Sequence, residues 1–431
     1  MHTRSLVVRD AVWGDISLAA PLVDLLDTPE LQRLRGIRQL GTAHLVYPSA
    51  NHTRFEHVLG TCHVALRILA GLNERQPELG LDERFALEVG AAALVHDVGH
   101  VPFGHTFEDE RRLFPRHDGA ERTRRFLGDT CLGERLRAAG MSDAVLAALG
   151  AAAPTVHTSL ARDIVAGTLC ADLLDYLARD AHFTGIRRVY DERLFRTFAV
   201  REGRLAVCLA KRGLPREDAH SEVVHLLRLR YTLSERVYYH HAKVASGALV
   251  SKLVERAVAA GLTLEDLYPL GDETLIELLA RRYGPGDPIV ARGVDDLRAR
   301  RLPKRAYVLT RTIGSARQGE LIARFHADAE ARARCERQLE EALDLPPGAV
   351  IVYCPGPDMA LKEADIPVEV ADGRLCTLSS LNLREVDDLL EKHRDLWKFY
   401  VLIAARHADR RAALAAACEE RFGIPNALAL A

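Results

Sequence analysis

Two imidazoles and two carboxylates in this chain form a set able to hold a cation: His57 in RFEHVLG, the adjacent His96 and Asp97 in LVHDVGHVPFGH, and Asp172 in CADLLDYLARD. Mixed nitrogen and oxygen donors suit a borderline or hard divalent metal such as Mn, Fe, Zn, Co or Mg, with coordination positions left for water. Such an ion lowers the pKa of a water ligand from 15.7 toward about 7, making hydroxide available for attack on phosphorus. A single His-Asp pair would more readily be a core histidine beside a helix-end charge. The neighbourhood changes that weighing, because residues 96–118 also supply His100, His105, Glu108, His117 and Asp118 around a turn punctuated by Gly99, Pro102 and Gly104. His100 lies one helical turn after His96 if the helix continues. His105 and His117 are then candidates for a phosphate contact and a proton donor, with Glu108 orienting one imidazole.

The elements that must position these groups are mostly helical. Phe85, Val89, Ala92 and His96 fall on one face of a helix that Asp82 can cap and that Gly99 interrupts. A second helix is expected over about 162–184, with Val165, Leu169, Asp172, Tyr176 and Arg179 or Asp180 along one face. Ahead of them, residues 5–18 alternate about Gly14-Asp15 as a short hairpin, and 20 to about 260 read mostly as helix. From about 305 the pattern shifts: strand-like runs at 306–313, 349–354 and 399–404 alternate with helical stretches at 318–343, 381–395 and 407–422. The fold expected is mainly α, with a helical core over 1–282, a Gly/Pro/Arg-rich linker over 283–305 and a smaller α+β region over 306–431.

The 58 basic and 60 acidic residues leave a net charge of −2, so no overall field draws the chain to nucleic acid or anionic lipid. Of the basic residues only seven are Lys, a compositional bias that makes Arg alone a poor marker of function. Eight Cys are scattered with no CxxC pair, which points to reduced thiols. No apolar run is long enough for a signal peptide or a membrane span, so a soluble, cytoplasmic protein is expected. The basic run 298–305 lacks interleaved aromatics and reads as solvated linker rather than a nucleic-acid contact. Neither a P-loop nor a GxGxxG motif is present. Trp13, His63 and Trp397 have no evident chemical partner in the sequence.

Five blocks in order, DTPELQRLRGIRQLG (27–41), HTRFEHVLG (52–60), VHDVGHVPFGH (95–105), DLLDYLARD (172–180) and RYTLSERVYYH (230–240), resemble the HD-domain deoxynucleoside triphosphate triphosphohydrolases, in particular the bacterial relatives of the sterile-alpha-motif and HD-domain enzyme. The resemblance covers roughly residues 5–260 and extends more loosely beyond. It implies an HD-domain helical core, an oligomer, and hydrolysis at the α-phosphorus that releases deoxynucleoside and tripolyphosphate. It further implies His57, His96, Asp97 and Asp172 as metal ligands, and His117 with Glu108 as a catalytic dyad in a site lined by His100 and His105. Arg54 and Arg230 correspond to phosphate contacts, where a guanidinium fork suits the anion. Tyr176 and Asp180 correspond to triphosphate and sugar-side contacts, Gln39 and Leu40 meet the deoxyribose, and Tyr238 packs against it. Packing readings stand beside these: Leu40 as core, Tyr238 as a buried aromatic, Asp180 as the ion-pair partner of Arg179.

The chain also departs from the family. The basic residue that follows the last metal-binding Asp is Leu173 here. Asp27, Gln32 and Arg35 match residues that read a guanine-nucleotide effector in the animal enzyme, yet the basic residue of the N-terminal strand corresponds to Leu6. Leu173 leaves room for another substrate of the same metal chemistry, such as a nucleoside monophosphate, cyclic nucleotide or dinucleotide. A nucleotide-sensing or nucleic-acid-binding module is a third reading, against which the complete ligand set and His/Glu cluster speak.

Overall fold

A computed structural model describes residues 5–187, 190–357, 359 and 361–429. The chain starts with an antiparallel hairpin, β1 (Ser5–Asp10) and β2 (Gly14–Ala19). Its turn is Ala11-Val12-Trp13 rather than Gly14-Asp15, because the Asp10 carboxylate accepts the N–H groups of Val12 and Trp13 at 2.9 Å and closes the loop one step earlier.

Helix α1 (Arg54–Arg75) opens with a capping box, in which Glu56 Oε2 accepts the Thr53 N–H at 2.6 Å. Helix α2 (Glu83–Val95) is capped by Asp82, whose carboxylate accepts the Phe85 N–H at 2.8 Å. Its last seven residues, Val89 to Val95, are all buried, so α2 is a core helix whose end delivers His96 and Asp97 into the interior. The stretch 162–184 is two helices, α3 (Val156–Ala166) and α4 (Ala171–Thr184). The break at Gly167–Cys170 has a cause: the Cys170 thiol sulfur accepts the Leu173 N–H and caps a fresh helix, which places Asp172 in the first turn of α4. Both α2 and α4 pack against α1.

Residues 198–208, read from sequence as helical territory, form the hairpin β3 (Phe198–Arg201) and β4 (Arg204–Cys208). Two long helices follow, α5 (Glu217–Leu233) and α6 (His241–Ala259). The interval expected as a linker carries α7 (Pro288–Arg298), whose Val290 and Val294 are buried against α6. Their apolar spacing was masked by the charges around them.

Beyond it come β5 (Lys304–Thr310), α8 (Ala329–Ala342), β6 (Val350–Tyr353), β7 (Pro367–Glu369), β8 (Leu375–Thr377), α9 (Arg384–Arg394), β9 (Lys398–Ile403) and α10 (Arg411–Phe422). Strand β9 is central in an antiparallel sheet, β5-β9-β6, whose smaller core contains Phe325, Trp397 and Phe399. Strand β7 instead pairs in parallel with β4, Val207 opposite Val368, so the C-terminal chain returns to the helical core. The described cysteines are all free, and five of the eight are buried. Among the described residues no helix is long and apolar enough to cross a membrane.

Candidate metal centre and substrate cavity

The four ligands expected from sequence converge from three helices. His57 Nε2 on α1 lies 3.0 Å from Asp172 Oδ1 at the start of α4 and 3.8 Å from Asp97 Oδ2. His96 Nε2 lies 3.5 Å from Asp97 Oδ1 and 3.7 Å from Asp172 Oδ1. Each ring is oriented by an acceptor that can only receive a proton. His57 Nδ1 donates to Asp175 Oδ2 at 2.8 Å, and His96 Nδ1 donates to the Ala93 carbonyl at 2.8 Å. Both tautomers are thereby set with the Nε2 lone pair toward the cluster, and both Nε2 atoms are buried without a hydrogen bond. Orphaned imidazole nitrogens facing two carboxylates fit a divalent cation, and one donor atom each from His57, His96 and Asp97 lies within 4.8 Å of the others. Electrostatics agree: burial alone would lower His57, but Asp172 and Asp175 override it and raise the imidazole to about 10. The pocket strongly prefers a positive charge.

Sequence reasoning missed the support beneath His57. Asp175 is fully buried and is gripped by Arg179, whose Nε and Nη2 donate at 2.9 Å, and by the Trp13 indole N–H at 2.6 Å. Trp13 therefore does have a chemical partner, 162 residues away in the chain. Arg179 also donates to Asp10 at 2.8 Å and does not pair with Asp180. Gly60 makes this possible, since a methyl group there would sit 1.8 Å from Asp175 Oδ1. The available signal was Asp175 itself, one helical turn after Asp172.

The second cluster forms where α2 ends. The His100 and His117 rings stack with centroids 3.5 Å apart, and His105 stands edge-on to each at 4.9 Å. His117 Nδ1 donates to Glu108 Oε2 at 2.9 Å, while Arg122 Nη1 donates to Glu108 Oε1 at 2.9 Å, a support the sequence reading overlooked. Burial would raise Glu108, but His105, 3.7 Å away, and the hydrogen-bonded His117 hold the carboxyl far below the usual range. Burial lowers His117, and Glu108 opposes that shift. Burial, then the Arg54 charge, lowers His100 strongly; neither of its ring nitrogens has a hydrogen bond. Arg54 bridges the two clusters by donating to Asp97 Oδ2. It lies beneath Gly104, whose left-handed φ of 56° and missing side chain leave room for the guanidinium.

A cavity of about 390 Å³ opens beside these clusters. Gln39, Leu40, Arg54, Tyr176, Asp180, Arg230 and Tyr238 all line it, together with His105. Its polar groups are pre-paired: the Tyr238 hydroxyl donates to Asp180 Oδ2 at 2.6 Å, and His52 Nε2, another residue not foreseen, bonds Asp180 Oδ1 at 2.8 Å. Leu173 lies outside this space. It is buried and lines a neighbouring cleft of about 640 Å³ with Asp172, Tyr176 and Lys362. Of the three effector candidates, Arg35 Nε donates to Gln32 Oε1 at 2.9 Å and its guanidinium lies 3.5 Å over the Phe55 ring, while Asp27 is exposed at the end of a short helix.

The HD domain family matches residues 54–180, and the family described as the HD associated region matches 191–428. Uncharacterized protein YwfO of Bacillus subtilis is 32% identical over 257 residues, covering 58% of this chain and 55% of that protein. Deoxynucleoside triphosphate triphosphohydrolase SAMHD1 of Danio rerio is 30% identical over 269 residues, covering 54% of this chain and 42% of that protein. The chain thus spans about half the length of the curated relatives it matches. A crystal structure of a hypothetical protein from Aquifex aeolicus superposes with a TM-score of 0.70 at 22% identity, covering 95% of this chain and 100% of that one. A phosphohydrolase from Bacteroides thetaiotaomicron gives 0.68 at 20% identity, covering 93% and 100%, which shows a shared fold. With the HD associated region spanning residues 191–428, more than half of the chain, the protein belongs to that family, and the HD domain matched ahead of it over residues 54–180 contains the adjacent His96 and Asp97.

Proposed function

We propose that this protein is a metal-dependent deoxynucleoside triphosphate triphosphohydrolase, in which water attacks the α-phosphorus and deoxynucleoside and tripolyphosphate leave. The observation that carries the reading is the cavity: seven side chains from four separate sequence blocks, with His105, line one space next to the four-donor cluster. The SAMHD1 relatives, named for this activity, support it.

His57, His96, Asp97 and Asp172 would hold the ion. When bound, a divalent cation there supplies Lewis acidity that makes a water ligand acidic near neutral pH. Arg54, Arg230 and His105 bind the phosphate oxygens, each guanidinium through the N–H groups that its protein acceptors leave open. Leu40 and Tyr238 give the deoxyribose an apolar wall, with Gln39 beside it. His117, oriented through Nδ1 by Glu108, delivers its Nε2 proton to the departing 5′ oxygen as the α-phosphorus–oxygen bond breaks. Without substrate, burial keeps His117 below its ordinary value; a triphosphate anion beside it favours the protonated ring.

A second reading is hydrolysis of another nucleotide phosphoester by the same residues, and Leu173 is the observation that favours it, since an apolar side chain stands where the family carries a cation. Incubating the metal-loaded protein with separate dNTPs, NTPs, monophosphates and cyclic nucleotides, with chromatographic identification of products, tests both. Deoxynucleoside plus tripolyphosphate is expected; turnover of monophosphates or cyclic nucleotides alone would overturn the proposal. The triphosphohydrolase reading gives Asp27, Gln32 and Arg35 to a guanine-nucleotide effector, with the exposed Arg35 stacked on Phe55.

A further inference from the structure

Arg230 does not project freely into the cavity. Its Nε donates to Glu363 Oε1 at 2.9 Å, and its Nη1 donates to Ser234 Oγ at 3.1 Å. Glu363 sits on the turn Lys362–Asp365, 133 residues further along the chain. Ser234 is braced in turn by His393 of α9, whose Nε2 is 3.2 Å from Ser234 Oγ and whose Nδ1 is 3.0 Å from the Met359 carbonyl. A carbonyl only accepts, so Nδ1 carries the proton, Nε2 accepts from the serine hydroxyl, and the hydroxyl oxygen is left to accept from Arg230. The relay is closed and buried: His393 and Ser234 are 3% and 0% exposed. The Tyr176 and Tyr238 rings flank the guanidinium, their centroids 5.6 and 5.1 Å from Cζ. Among the described residues Nη2 has no partner, and Arg230 lines the cavity.

We propose that Glu363 and the Ser234–His393 pair are positioning residues that hold the Nη edge of Arg230 toward the polyphosphate end of the substrate. The proposal rests on the reading that this cavity takes a polyphosphate. Two effects oppose each other here. A carboxylate beside the binding arginine repels an incoming anion, whereas a guanidinium already fixed on its Nε edge loses little rotamer freedom when the anion arrives. Glu363 accepts from Nε and leaves Nη2 open, so preorganisation outweighs repulsion, and Glu363 and His393 join Arg230 and Tyr238 as residues of the HD associated region that serve the site.

Calorimetric binding of inorganic tripolyphosphate to the full metal-loaded chain, with metal content checked in the same samples, reads the sign directly. Glu363→Ala is expected to weaken binding about tenfold, and Glu363→Gln, which keeps an oxygen to accept the Nε–H, to recover most of it. Ser234→Ala should weaken it less, and in dNTP kinetics each variant should raise KM more than it lowers kcat. Equal or tighter binding by Glu363→Ala would show that the carboxylate competes with the anion and would overturn the proposal. If that variant does not fold, unchanged binding by Ser234→Ala does the same. Tripolyphosphate binding that follows the expected order in a protein that hydrolyses no dNTP leaves the brace standing and removes the reaction; dNTP hydrolysis without that order does the reverse.

Discussion

His57 and His96 each have Nδ1 tied to a proton acceptor and Nε2 left bare, whereas His100 has neither nitrogen bonded and His105 is half exposed at the cavity wall. The two imidazole clusters touch through Asp97 and Arg54, but their surroundings prepare them differently. Around His57 the fold spends Asp175, Arg179, Trp13 and Asp10 on fixing one ring, the investment a cation ligand needs. Around His117 it spends Glu108 and Arg122 on one ring and leaves its neighbours free to meet a ligand. The difference teaches that a histidine's task is written in what its second nitrogen does.

Breaking the first cluster should have the largest effect. His96→Ala is expected to abolish both bound metal and hydrolysis while the chain stays folded, as elemental analysis, product chromatography and circular dichroism would show. Asp97→Ala should do the same at a further cost in stability, because it leaves the buried Arg54 guanidinium without its carboxylate. Full metal occupancy in His96→Ala would remove the distinction between the clusters.

Breaking the second cluster should separate chemistry from metal binding. His117→Ala is expected to lower kcat by about 10²–10⁴-fold with metal content unchanged, since a proton donor acts in the transition state. Glu108→Gln should cause a smaller loss in the same direction. Unchanged turnover in His117→Ala would reassign the ring to packing.

A smaller effect is expected at the support for His57. Asp175→Asn keeps the shape but weakens the acceptor that sets the tautomer, and should loosen the metal about 10–100-fold in a chelator competition. Metal affinity equal to wild type would mean that Asp175 serves Arg179 alone.

How much of this was legible in the sequence follows from the range of the interactions. Spacing on one helix placed His96 on the buried face of α2 and Asp82 at its cap, because both depend on neighbours within four residues. The break before Asp172 was not legible, since a thiol cap at Cys170 is a weak signal inside a run that reads as helix. The β3-β4 hairpin was missed for a related reason: β4 is stabilised by β7, more than 150 residues later. The same holds for the site. The proposed ligands and dyad stand in short motifs, but Trp13 on Asp175, His52 on Asp180 and Glu363 on Arg230 are pairs that only the tertiary fold brings together.

The smallest effect compares two carboxylates two residues apart on one turn, Thr106–Glu110. Glu108 is held far below its ordinary range by His105 and His117 against the pull of burial. Glu110 accepts from the Ser251 hydroxyl at 3.3 Å, and burial, opposed by the Lys243 and Arg111 charges, raises it to about 7. The signs of their linkage to folding are opposite. Glu108 binds its proton less readily folded than unfolded, so it adds stability above about pH 4.5, and Glu108→Gln should lower the melting temperature at neutral pH. Glu110 binds its proton more readily folded, so the native state loses stability as pH rises from about 4.5 to about 7. Glu110→Gln removes that loss: it should melt with wild type at pH 4 and progressively higher than wild type up to pH 7, where the gain levels off at no more than about 3 kcal/mol. Melting curves of both variants across this range read the two signs at once. A Glu110→Gln gain that is constant with pH would place the effect in packing rather than in the carboxyl, and the contrast between the two ends of this turn would then owe nothing to protons.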